Sequence, residues 1–177
     1  MHPSGAETPR AHLLPTYQNR LRVIGRHLDL TGNGGLNLLE VPGGFLVRAM
    51  APGARAPVAL DFAHDGFPDL LADAFAARGE GERRHRPHPL LPTGYGDFLR
   101  ALGFRLDKQR AEAITIAELE GFVAIGDLAL VERYERTDIV PFQHLLRADE
   151  IGALLDETFR QRAQVVEVKR EPRFWRR

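Results

Sequence analysis

A chain of 177 residues has room for one ordinary domain or two small ones. Its apolar share of 44% and charged share of 27% are those of a soluble globular protein, and 24 basic residues balance 24 acidic ones, so no global field draws it to nucleic acid or to a membrane. The absence of cysteine excludes disulfides, thiol nucleophiles and cysteine-ligated zinc or iron–sulfur centres.

Residues 1–16, with Pro3, Pro9 and Pro15 and no periodicity, read as a flexible leader. They lack the apolar run of a signal peptide, and no segment approaches the roughly 20 apolar residues that span a bilayer, so a cytoplasmic protein without a membrane partner is expected. Tyr17, Leu21, Ile24 and Leu28 then fall on one face of an amphipathic helix. The run Thr31-Gly-Asn-Gly-Gly35 supplies its stop and a turn. LNLLEV (36–41) and GFLVRAM (44–50) flank Pro42-Gly43 as a hairpin, and PVALDF (57–62) reads as a third strand. A second helix opens around Pro68, with Leu70, Leu71, Ala74 and Phe75 on one face. RGEGERRHRPHP (78–89) belongs to a basic linker over 79–94.

The same order then recurs. YGDFLRALGFRLD (95–107) repeats YQNRLRVIGRHLD (17–29), with Tyr, Leu, Arg, Gly, Leu and Asp matched at one constant offset. ITIAEL (114–119) and GFVAIG (121–126) form a second hairpin, with one glycine fewer in its turn. IVPFQHLL (139–146) matches the third strand and RADEIGALLDETFRQR (147–162) the second helix; DLALVERYERTD is an insertion that reads as a longer strand or arm. QVVEV (164–168) gives a short strand before a basic tail, within 163–177. The expected fold is α+β: two tandem helix–three-strand–helix repeats, 17–78 and 95–162, with antiparallel sheets related by a pseudo-twofold axis. One unit of this size buries little apolar surface alone, so the second copy acts as a partner built into the chain. Side-by-side and face-to-face packing of the sheets both satisfy the pattern, and an unpaired edge strand makes a homodimer plausible.

The residues shared by the copies draw the structural expectations. Gly25 and Gly103 sit inside helices, where glycine costs about 1 kcal/mol against alanine, and so mark a close approach. Glu40 and Glu118 are in phase with the apolar strand positions and need partners. The flanking Arg22 and Arg100 suggest two equivalent ion pairs, Arg22–Glu40 and Arg100–Glu118, against the alternative that each glutamate reaches water at a strand end. Asp29 and Asp107 close their helices and are expected to cap local turns.

Catalytic signatures are scarce. The chain has no GxSxG, P-loop or HExxH pattern, and GNGG (32–35) follows a helix rather than a strand, which makes it a turn. His85 and His88 form HxxH in the linker but lack a third ligand; His64 with Asp65, Asp69 and Asp73 reads as a helix start, and His144 as a strand histidine. No catalytic residue, metal or cofactor is assigned. The helix–three-strand–helix order resembles that of the double-stranded RNA-binding domain, a resemblance in element order alone. Where that domain begins its second helix with lysines, this chain reads HDGFPDL and ADEIGAL, which repel phosphate.

The function expected first is a non-enzymatic interaction module with a protein partner, self or other. A second reading is a nucleic-acid-associated protein that uses the linker and the tail, where Arg170, Arg173, Phe174, Trp175, Arg176 and Arg177 mix cations with aromatic rings. A third is an enzyme with a site between the repeats.

Overall fold

Thr16 starts the first helix: its hydroxyl accepts the Asn19 N–H at 3.3 Å, satisfying one of the orphan amides of the first turn. Helix α1 (Tyr17–Thr31) ends at Gly32, whose φ of 67° places it in the left-handed cap that glycine adopts without strain. The computed structural model of the chain describes residues 16–76, 88–127 and 144–158. The expected arm at 128–138, the strand at 164–168 and the whole tail lie outside the described residues, as does His85.

After α1 come β1 (Gly34–Val41), β2 (Gly44–Met50) and β3 (Val58–Ala63), then a single 3-10 turn and α2 (Phe67–Ala76). Helix α3 (Tyr95–Lys108), β4 (Ile114–Leu119), β5 (Phe122–Asp127) and β6 (His144–Arg147) follow, and residues 148–158 form helix α4. The protein is therefore α+β. All six described strands join one antiparallel sheet in the order β3-β2-β1-β4-β5-β6, with β1 and β4 paired at the middle through Leu38 and Ile116. Of the two packings open to the sequence, the strands adopt the side-by-side one.

Alternation along the strands sends one set of side chains under the helices. Leu36 and Leu38, Phe45 and Val47, Ile114 and Ile116, Val123 and Ile125 are buried in one cluster with Leu21, Ile24 and Leu28 of α1, Leu99 and Leu102 of α3, Phe67 of α2 and Ile151 of α4. Each such leucine or isoleucine contributes about 1.5–3 kcal/mol by leaving water. The opposite phase keeps Leu39, Leu46, Leu119 and Leu145 at 44–52% exposure, while Ala117 and Ala124 on that phase are buried.

Helices α1 and α3 run antiparallel and touch through their glycines. A Cβ on Gly25 would stand 2.5 Å from the Tyr95 carbonyl oxygen, and one on Gly103 would stand 2.6 Å from the Gln18 Cα. The helix-interior glycines thus mark a close backbone approach, as their cost implies.

Two details correct the sequence reading. Both hairpins turn on two residues, Pro42-Gly43 and Glu120-Gly121, so the second has no shortened turn; Gly121 is in the turn, and Phe122 opens the strand opposite Leu119. On α2 Phe67 and Leu71 are buried, whereas Leu70 is exposed, because residues four apart share the inward stripe and Leu70 lies beside it.

Candidate functional site

The two glutamates build matching polar nodes at opposite ends of the α1–α3 pair. In the first, the Tyr17 hydroxyl donates to Glu40 Oε2 at 2.6 Å, and the same oxygen accepts the Ile114 N–H at 3.0 Å. In the second, the Tyr95 hydroxyl donates to Glu118 Oε2 at 2.6 Å, and that oxygen accepts the Leu36 N–H at 2.8 Å. Each carboxylate therefore ties its own helix to the first residues of the central strand across from it. Burial, and then the bond to glutamate, push both tyrosine phenols well above the ordinary tyrosine range. The neutral phenol donates and the carboxylate oxygen accepts, and hydrogen bonds to a carboxylate are of the stronger, charge-assisted kind.

Arg22 and Arg100 are half-buried on α1 and α3, and the donors described at the carboxylates include the tyrosines, strand amides and, at Glu118, His88. The tyrosines were visible in the sequence as shared residues; the signal that links them to the glutamates is that Tyr–Glu spacing is the same, 23 residues, in both halves.

The aspartates at the helix ends, expected at local turns, reach across to the neighbouring helix. Asp29 accepts the N–H groups of Tyr95 and Gly96, both at 2.9 Å, and Asp107 accepts those of Tyr17 at 2.9 Å and Gln18 at 3.0 Å. Each acid sits at the positive N-terminus of the other helix, where it satisfies two orphan amides. An aspartate at its own helix's C-terminus is unfavourable; this geometry turns it into a favourable charge on the neighbour.

His88 distinguishes the second node. Its Nδ1 accepts the N–H groups of Leu90 at 3.0 Å and Leu91 at 3.2 Å, which leaves the proton on Nε2, and Nε2 donates to Glu118 Oε1. The ring meets Tyr95 edge-on at 5.6 Å. This histidine is fixed in a folded segment, not carried on a free linker. Beside the node, a cleft of about 320 Å³ opens between Asp29, Asn33, Gly53, His88, Tyr95 and Glu118. Among the described residues no group of three or more histidines, aspartates or glutamates is placed to hold a metal.

The other histidines go elsewhere. His64 Nδ1 accepts from the Arg20 guanidinium at 3.0 Å, and its ring packs against Phe45 at 5.7 Å. His144 is exposed on edge strand β6 and borders a second cavity, of about 350 Å³, between α3, β5, β6 and α4. Arg170, Arg173, Phe174, Trp175, Arg176 and Arg177 lie outside the described residues. No helix among the described residues is long and apolar enough to cross a membrane. No protein-family model, curated protein or solved structure matches the chain.

Proposed function

We propose that the protein is a non-enzymatic interaction module, made by internal duplication of one helix–three-strand–helix unit, that docks a protein partner on the face of its sheet that no described helix covers. The observation that carries this reading is the row of exposed leucines on that face, Leu39, Leu46, Leu119 and Leu145. Leu39 and Leu46 are direct cross-strand neighbours, so their side chains form one patch. Apolar patches rimmed by polar residues, here Asn37, Arg48 and Asp61, mark association surfaces.

The duplication, with units over 17–78 and 95–162 joined by 79–94 and related by a pseudo-twofold axis, is supported by the paired contacts. Tyr–Glu bonds, aspartate caps and glycine contacts each occur twice, at positions separated by one constant offset. Within this reading Arg22 and Arg100 add their charges to the Glu40 and Glu118 nodes.

The test is sedimentation equilibrium of the full chain beside a Leu39→Glu/Leu46→Glu variant, with crosslinking of both in native extract. The expected result is association, with a second copy or another protein, that the variant loses while keeping the parent's thermal unfolding. A chain that stays monomeric and gives no crosslink dependent on these leucines would remove the docking face.

A further inference from the structure

The open part of the docking face is its β1–β2–β3 end. On the second half the outward phase buries Ala117 at 7% exposure and Ala124 at 1%. On the first half that phase carries Leu39 on β1, Leu46 and Arg48 on β2, and Ala59 and Asp61 on β3, all of them exposed. Register fixes their places. Leu39, Leu46 and Asp61 lie in one row across the three strands, and Asn37, Arg48 and Ala59 form the next row. An apolar pair thus has one cation and one anion beside it, and neither Arg48 nor Asp61 is in an ion pair among the described residues.

A surface that binds its own copy across a twofold axis has to be self-complementary. Neighbouring strands lie about 4.8 Å apart, and alternate residues about 6.6 Å apart along each strand. On that grid Arg48 and Asp61 stand on opposite sides of a line that runs obliquely across the sheet beside Leu39 and Leu46. A twofold axis along that line exchanges the two charges. Each Arg48 comes over the Asp61 of the other copy, and the leucines of one copy meet those of the other. The strands of the two sheets then cross steeply, which is the orthogonal mode of packing sheets face to face. A face built for a cationic or an anionic partner would carry one sign of charge; this one carries one of each.

Given the docking face at Leu39 and Leu46, on which this assignment rests, we infer that its occupant is a second copy of this chain, held leucine to leucine and by two reciprocal Arg48–Asp61 pairs. The leucines supply the burial, and the charges at the rim fix orientation and partner choice.

Charge reversal is the experiment, because a twofold contact dictates which variants pair. Alone, Arg48→Asp brings two acids together at each contact, and Asp61→Arg brings two cations together; mixed, the two variants meet as opposite charges at both. Native mass spectrometry separates the three dimers by mass, sedimentation equilibrium gives their dissociation constants, and thermal unfolding checks that each chain folds. The expected result is a dimer of the parent chain, weakened about tenfold or more in each variant alone and restored in the equimolar mixture and in the double variant R48D/D61R. A mixture no tighter than its components, or a parent dimer that neither variant weakens, would overturn the twofold contact. A monomeric parent overturns it as well. Crosslinks in extract that still depend on Leu39 and Leu46 would then leave the docking face with another occupant, and their loss would remove the face itself. Should a reversed charge unfold its chain, the milder Arg48→Gln and Asp61→Asn should each abolish the salt dependence of the parent dimer; salt dependence that survives both would overturn the pairing.

Discussion

The two halves of the sheet are built on the same contacts and finished differently. In the first, Phe45, Phe62 and Phe67 pack edge-to-face and stacked beneath α1 and α2, with His64 and Arg20 sealing the edge. In the second, Val123, Leu146 and Ile151 occupy the matching strand and helix positions beside an open cavity. The backbone differs in a parallel way. The first half makes its left-handed turns with Gly32 at φ 67° and Gly35 at φ 65°; the second makes them with Arg110 at φ 53° and Ala113 at φ 51°. Tyrosine, glutamate, glycine and aspartate occur at the seam in both halves, so the seam is the common frame and the flanks are where the halves differ.

That contrast can be broken or sharpened by substitution, measured as urea-unfolding free energy. Phe67→Ala should cost about 3–5 kcal/mol, and Ile151→Ala nearer 2 kcal/mol because its surroundings are already open; equal costs would erase the difference in packing. At the seam the halves should instead agree, Gly25→Ala and Gly103→Ala each losing about 3 kcal/mol as the added methyl meets backbone. Asp29→Ala and Asp107→Ala should each lose about 1–2 kcal/mol with their two capped amides. Tyr17→Phe and Tyr95→Phe should cost about 1 kcal/mol each at neutral pH. These tyrosines also set an alkaline limit. Their folded pKa lies above the ordinary 10.0, so their contribution is complete below about pH 10 and falls as pH rises, because only the unfolded chain releases those protons. The phenylalanine variants should flatten that fall. The smallest effect runs the other way: Arg110→Gly or Ala113→Gly should gain about 0.5–1 kcal/mol by relieving a strained φ, whereas glycine is already present at Gly32 and Gly35.

Much of this frame was legible in residues with strong local signals. The apolar stripes of α1 and α3, the hairpins and the inward phase of Glu40 and Glu118 follow from periodicity alone. The first turn announced itself with glycines, but the turn after α3 carries Gln109, Arg110 and Ala111 and gives no such signal. Matching the hairpins on their Gly-Phe pairs misplaced the second turn, since pairing, not residue identity, sets the register. The aspartates misled for a different reason: a capping acid is read as local, and these bond to amides 66–67 and 89–90 residues away. Nothing in Leu38 or Ile116 marked them as the pair that merges the strands into one sheet. The cavity was equally hidden, because a void is a property of what several elements fail to fill.

The exchanged aspartates carry a consequence for assembly. Because the start of each long helix takes two of its amide partners from the last turn of the other, neither start is fully satisfied in isolation. Severing the chain between residues 77 and 87 should thus yield two fragments with little order apart that regain structure on mixing.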